Sequence, residues 1–337
     1  MNRHSVSRGI VWLISLVLVV WIFKSLPLST IMETLAELAL WQWLLWAGVN
    51  FFILWIYAQR WRCLCSAAGV ELCFGTLFML RQAGQTISFL TPGPQFGGEP
   101  FQVYWLWKKF MLSGPLALLC VLLDRFYELW VNFVLLLLGI VFLMLTPALD
   151  LTDWSALLVV VALIVLGLSW SGWFLVSHQV ELSEWIRKLG QRWQHNPLLQ
   201  RIDAHWDKLG ERLRSAIRTR KPALALALLL ALLGWAGMIF EIWMLLHFFA
   251  IKPDFSALVF IVVGMRLAFL LPLPGGVGTL EAAIFWVFTI LGLSMTGAGA
   301  MIAMIRLRDA IVLLIGQFAL WRIGRVKMLE NTPSGQE

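Results

Sequence analysis

The sequence predicts an all-α polytopic membrane protein, with about six full spans plus two opposed re-entrant helical hairpins in an inverted repeat. Three observations carry that expectation. The chain of 337 residues is 60% hydrophobic and 13% charged, with a mean hydropathy of +0.82, far from the composition of a soluble globule. Its apolar residues gather into runs of about 20 or more, the length a helix needs to cross roughly 30 Å of hydrocarbon. Two further apolar stretches are each broken midway by proline and glycine, "TPGPQFGGEP" at 91–100 and "LPGGVGTLEA" at 273–282.

The spans read as 9–29, 38–58, 114–146, 155–177, 222–248 and 297–320. The first follows Arg3 and Arg8 without a convincing small-x-small cleavage site, so a retained helix is expected rather than a signal peptide. Lysines and arginines set the orientation. Arg60 and Arg62 after the second span, Lys108 and Lys109 before the third, and Arg322, Arg325 and Lys327 after the last all fit one side. "TPALDLTD" (146–153) has no basic residue and belongs on the other side. Both termini are then cytoplasmic, and the expected location is a bacterial inner membrane. This topology closes only if 74–104 enters and returns on the inside while 256–293 does so from the outside. Irregular backbone at membrane depth needs protein or a water-filled cavity around it, so the two hairpins should face each other.

The expected organisation is an N-terminal membrane helix (1–30), a first repeat (31–146), a connecting span (147–177), a cytoplasmic linker (178–221), a second, inverted repeat (222–325) and a polar tail (326–337). The linker carries ten basic and five acidic residues. Its Trp185, Leu189, Trp193, Ile202, Trp206 and Leu213 recur near helical spacing, as in helices that lie on a leaflet or in a solvated connector. The net charge of +7 is gathered in such loops, which reads as topology and anionic-lipid contact and not as a nucleic-acid footprint. Cys63, Cys65, Cys73 and Cys120 lack the spacing of a zinc site or disulfide framework and read as packing residues. No cofactor and no metal is expected.

The repeat is legible in the punctuation. Pro92-Gly93 and Pro274-Gly275 are each followed, seven residues after the proline, by a glutamate, Glu99 or Glu281, with Gly97 and Gly98 or Gly276 and Gly278 between. Downstream come "LLDRFYEL" with Asp124 and Arg125, and "IRLRDAIV" with Arg306, Arg308 and Asp309. Opposed topology of such halves is the pattern of transporters with a midplane site.

Charges at membrane depth are costly and mark partners or cavities. Helical spacing puts Asp124 beside Glu128, Arg125 beside Glu128, and Arg306 beside Asp309, and local pairing alone would hold spans together. Arg266, Glu99 and Glu281 add more ionisable groups than that requires. The half-helix after each break offers free N–H groups to an anion, so a lipid phosphate is expected between the tips, contacted by Arg125, Arg266 and Arg306. Four roles stay open for Glu99 and Glu281: capping, pairing with arginine in the empty site, binding a headgroup amine, or taking up a coupling proton. No P-loop, GxSxG, HExxH, kinase or Rossmann pattern is present, and the five histidines do not cluster.

Through "RWRCL" (60–64), "TPGPQFGGEPFQVYWL" (91–106), "LLDRFYEL" (122–129) and "LPLPGGVGTLEA" (271–282), the chain resembles the flippase-like transmembrane family typified by the membrane half of bacterial lysylphosphatidylglycerol synthetases. The resemblance covers nearly the whole chain and carries over Pro92, Gly93, Gly97, Gly98 and Glu99, then Pro274, Gly275, Gly276, Gly278 and Glu281. It implies movement of lipid between leaflets. The soluble aminoacyl-transferase part of the synthetases has no counterpart in these 337 residues, so lipid synthesis is not expected. The leading expectation is a flippase for a phospholipid or polyprenyl-phosphate carrier; the alternatives are a membrane enzyme on a lipid phosphate or a non-transporting partner of envelope-lipid enzymes. Expected partners are lipids with anionic headgroups and envelope-lipid biosynthetic enzymes.

Overall fold

The computed structural model describes residues 28–91, 97–110, 112–146, 154–177, 220–271 and 273–330. These form ten α-helices without a strand: α1 (Leu28–Ala36), α2 (Leu40–Ala67), α3 (Phe74–Leu90), α4 (Glu99–Lys109), α5 (Gly114–Met144), α6 (Ser155–Ser177), α7 (Lys221–Phe248), α8 (Phe255–Ala268), α9 (Thr279–Ile290) and α10 (Met295–Glu330). The protein is an all-α polytopic membrane protein. Helices α2, α5, α6 and α7 are long and apolar enough to cross a bilayer. The sixth expected span lies within α10, whose Arg306, Arg308 and Asp309 interrupt its apolar run. The expected first span falls almost wholly outside the described residues, as do the linker from 178 to 219 and the tip residues Pro92 and Gly93.

The broken segments are pairs of short helices. At 1.5 Å per residue α4, α8 and α9 run about 17, 21 and 18 Å, well short of roughly 30 Å of hydrocarbon. Helix α8 starts where Asp254 accepts the Ala257 N–H at 3.0 Å, a side-chain N-cap. It packs against α9, with Gly264 so close that a Cβ there would lie 2.7 Å from Val287 Cγ2. Helix α5 opens on Ser113 in extended conformation with Pro115 in its first turn, where a missing N–H costs nothing.

The described residues divide into two compact units. The first takes residues up to Phe52, then Phe78–Glu99, and everything from Gly237. Its core includes Phe260, Ile284, Phe288, Met301 and Ile305, all nearly inaccessible; α9 packs on α10, and α1 on α10. The second takes Ile53–Leu77 and Pro100–Ala236, with a core that includes Ile56, Trp61, Leu64, Leu136 and Ile140. There α5 packs on α6, and Trp130 Nε1 donates to Ser169 Oγ at 3.0 Å. Each unit draws on both halves of the sequence. On α6, Leu163, Leu166, Trp170 and Trp173 stay exposed, the surface a helix presents to lipid.

Three sequence expectations are corrected. The second span does not end at 58, since α2 continues to Ala67. Arg60, read as a loop charge, is 1% exposed and ion-paired; an arginine paired with a buried carboxylate has no need of a loop. Of the four cysteines, Cys65 and Cys120 are buried, but Cys73 is exposed, because it lies in the turn just before α3 and not in a packed helix.

Candidate functional site

The tip of the second hairpin is built from glycines. Gly275 and Gly276 follow one another at φ +59 and +60, left-handed conformations that cost a side-chain residue 1–2 kcal/mol or so. A Cβ on Gly275 would also overlap the ring of Phe89 on α3. This places the first hairpin's incoming arm against the second hairpin's tip.

Glu281 follows in the first turn of α9, 5% exposed. Its Oε2 accepts the Gly278 N–H at 2.8 Å, and its Oε1 accepts Arg306 Nε at 2.6 Å. Arg306 then gathers the tip: Nη1 donates to Gly275 O at 3.2 Å and to Asp309 Oδ2 at 3.0 Å, and Nη2 donates to Gly276 O at 3.1 Å. The chain of charges goes on. Arg308 reaches Asp309 Oδ1 at 3.1 Å and Glu241 Oε2 at 2.8 Å, and Glu241, 1% exposed, also accepts Asn50 Nδ2 at 3.1 Å. Three carboxylates and two guanidiniums thus run from the C-terminal part of α7 to the tip.

The first break has a related contact, one residue shorter. Glu99 Oε2 accepts the Gly97 N–H at 2.7 Å, and the Gly98 N–H is taken by Ser88 Oγ at 2.9 Å. A Cβ on Gly98 would overlap the backbone of Gly84, so the tip closes directly on α3. Capping, one of the roles left open for the two glutamates, is present at both. Glu281 pairs with an arginine as well.

In the second unit Arg60 donates from Nε to Asp124 Oδ1 at 2.9 Å and from Nη2 to Glu128 Oε2 at 3.0 Å. Arg125 Nη1 shares Glu128 Oε2 at 3.3 Å, and the Tyr57 ring lies 5.3 Å from Arg60 Cζ. Asp124 is therefore held by a distant helix. Arg266, in the last turn of α8, reaches Met238 Sδ. Pro274 begins the short turn Pro274–Gly276. Of the three arginines expected around a phosphate, Arg306 is at a tip, Arg266 is on α8 in the same unit, and Arg125 belongs to the second unit.

The two buried ion pairs have a common pattern. In the first half the cation is on the span before the hairpin (Arg60, α2) and the anion on the helix after it (Asp124, α5). In the second half the anion comes before (Glu241, α7) and the cation after (Arg308, α10). The offset of 182 between Glu99 and Glu281, added to 60 and 124, gives 242 and 306, one and two residues from Glu241 and Arg308. The halves thus share a brace whose polarity is reversed.

Sequence reading missed Arg60 and Glu241. The signal for Glu241 was present: it is a lone acid inside the 28-residue apolar run of α7, where an ionisable group by itself marks a partner. Arg60 was hidden by its proximity to Arg62, which made a cytoplasmic loop the simpler reading.

A family model described as the lysylphosphatidylglycerol synthase transmembrane region matches residues 10–316. The chain is also similar to an archaeal protein named UPF0104 membrane protein, from Methanothermobacter thermautotrophicus (strain Delta H), at 25% identity over 262 residues, 75% of this chain and 76% of that one. No solved structure matches it.

Proposed function

This chain belongs to the family of the lysylphosphatidylglycerol synthase transmembrane region, and from that membership we propose that it moves a phosphate-bearing lipid between membrane leaflets. The family is a membrane domain related to lipid metabolism or transport. The proposed cargo is a phospholipid or polyprenyl-phosphate carrier. Its headgroup crosses along a polar route as one inverted repeat rocks against the other, while its tails stay in lipid.

The observation that carries the proposal is the coordination of Arg306. A guanidinium is a fork matched to phosphate oxygens, and this one sits at the start of a half-helix, held by Glu281, Asp309 and two glycine carbonyls. Glu281 is fixed to the tip by the Gly278 N–H. Asp309 is the partner a phosphate replaces, since it keeps Arg308 when it releases Arg306. The exchange costs little because one charge-assisted pair replaces another. Both oxygens of Glu281 are engaged, which suits it to hold the tip rather than to act as a general base, so no covalent step is assigned. The proposed setting is a bacterial inner membrane with both termini cytoplasmic, and the proposed partners are anionic lipids together with the enzymes that make envelope lipids.

The test is reconstitution of purified protein in liposomes with leaflet-labelled anionic lipids, with Arg306→Lys and Asp309→Asn alongside. Translocation faster than in empty liposomes, lost in Arg306→Lys, supports the reading. Equal rates with and without protein for every anionic lipid tried refute it.

A further inference from the structure

Helix α3 has two working faces. Gly84 and Ser88 turn toward its own tip, where Ser88 takes the Gly98 N–H and Gly84 meets Gly98. Gln82, Thr86 and Phe89, at the i, i+4 and i+7 positions of one helical stripe, turn toward the second half of the chain. A Cβ on Gly316 of α10 would overlap Thr86 Oγ1 and lie 2.6 Å from the Gln82 carbonyl oxygen. Phe89 covers Gly275 at the tip that Arg306 holds.

This seam is tight and polar at once. Gln82 is 0% exposed and Thr86 3%, yet Gln82 Nε2, Gln82 Oε1 and Thr86 Oγ1 have no hydrogen-bond partner among the described residues. Most buried polar side chains in folded proteins are paired. A threonine in a helix ordinarily bonds back to a carbonyl one turn earlier, and Thr86 does not. An apolar pair would close against glycine better, so packing does not account for these two residues.

We propose that the α3/α10 seam is the closed form of the headgroup's route and that Gln82 and Thr86 form a subsite for a hydroxyl-bearing headgroup. The proposal rests on the transport reading given above and names the chemistry its route favours. A bare phosphate offers acceptors only; it satisfies Gln82 Nε2 and the Thr86 hydroxyl but leaves Gln82 Oε1 without a donor. A hydroxyl both gives and takes a hydrogen bond, so a glycerol or polyol attached to the phosphate satisfies all three atoms while Arg306 takes the phosphate. Opening the seam parts Gly316 from Thr86, and Gly275 from Phe89, and exposes the stripe.

The full chain, purified in detergent, is titrated with phosphatidylglycerol, phosphatidylinositol and phosphatidic acid, and bound lipid is read by native mass spectrometry. Wild type is compared with Gln82→Leu and Thr86→Val. The expected result is at least about tenfold weaker retention of the two hydroxyl-bearing lipids, the loss of one to two good hydrogen bonds, with retention of phosphatidic acid changed less than about twofold. The lipid-free thermal midpoint stays level or rises, because each variant removes a buried group that has no partner among the described residues. Equal weakening of all three lipids, or a lower midpoint, makes Gln82 and Thr86 structural and overturns the proposal. Preference for glycerol over inositol, or the reverse, identifies the source of the hydroxyl.

A second readout does not depend on those variants. Gly316→Ala puts a methyl where the closed seam leaves 2.6 Å to the Gln82 carbonyl oxygen, and so keeps the seam from closing. The variant is expected to retain phosphatidylglycerol but to translocate it more slowly in liposomes; translocation at the wild-type rate overturns the proposal. Wild type that retains phosphatidylglycerol without translocating it refutes transport and leaves the subsite standing. Wild type that translocates it without regard to Gln82 does the opposite.

Discussion

Replacing Arg60 by methionine removes the cation that two carboxylates share while nearly preserving side-chain volume. The side chains of Arg60 and Asp124 are 2% and 6% exposed, so Asp124 is left as a buried charge without that cation. Removing one partner of a buried pair costs about 3–5 kcal/mol. Glu128 adds little to the cost, being 33% exposed and still close to Arg125. At about 2 °C per kcal/mol, the low end for a chain of this size, the thermal midpoint in detergent falls by about 6–10 °C. Replacing Asp124 by leucine in the same protein removes the orphaned charge, and a buried pair exchanged for apolar groups is close to neutral. The double variant therefore recovers most of the loss, with a coupling energy of about 2–3 kcal/mol in the four-protein cycle. The assay is unfolding followed by tryptophan emission or by static light scattering on wild type, both singles and the double. A double variant as unstable as the sum of the singles refutes the reasoning, because the brace would then be packing and not charge.

Glu281→Gln keeps the Gly278 N–H acceptor but drops the charge facing Arg306, and is expected to slow lipid translocation at least about tenfold, the scale of one lost charge-assisted bond, with the midpoint lowered by only a few degrees. Gly275→Ala forces a side chain into a left-handed position under Phe89; Phe89→Ala in the same chain restores only the steric part, so stability read by thermal melt stays about 1–2 kcal/mol below wild type. Asp254→Ala removes the cap of α8 at a cost of about 1 kcal/mol and leaves translocation unchanged. The Ser256 hydroxyl and the Ala257 N–H hold the Asp254 carboxyl below its usual value. Its stabilising part is therefore present above the ordinary carboxylate range and lost as the pH falls through the lowered value, so melts of wild type and Asp254→Ala converge in acid.

The helices were legible because a bilayer imposes one length on every span, and α5, α6 and α7 begin and end within a few residues of the apolar runs. The two breaks were legible because proline and glycine interrupt a run that is otherwise long enough to cross, and each broken segment is a pair of helices. Capping was one of four roles left open for the two glutamates, and each accepts a glycine N–H at its break, Glu99 from Gly97 and Glu281 from Gly278. The long-range partners were not legible. Asp124 looked local because Arg125 and Glu128 are within one turn, yet its cation comes from Arg60, 64 residues away. Spacing reports neighbours on one helix; which helix lies opposite is decided by tertiary packing. Gln82 and Thr86 carry no charge and fit no motif, so only their lack of hydrogen bonds among the described residues singles them out.

The braces also bear on how the chain is made. A span bearing Arg60 leaves the ribosome 64 residues before the carboxylate that neutralises it, and one bearing Glu241 leaves 67 residues before its guanidinium. Neither helix is at ease alone in hydrocarbon, and the partner that neutralises it arrives only with the last helix of its half. Because the polarities are opposite, the first half lacks an anion until then and the second lacks a cation.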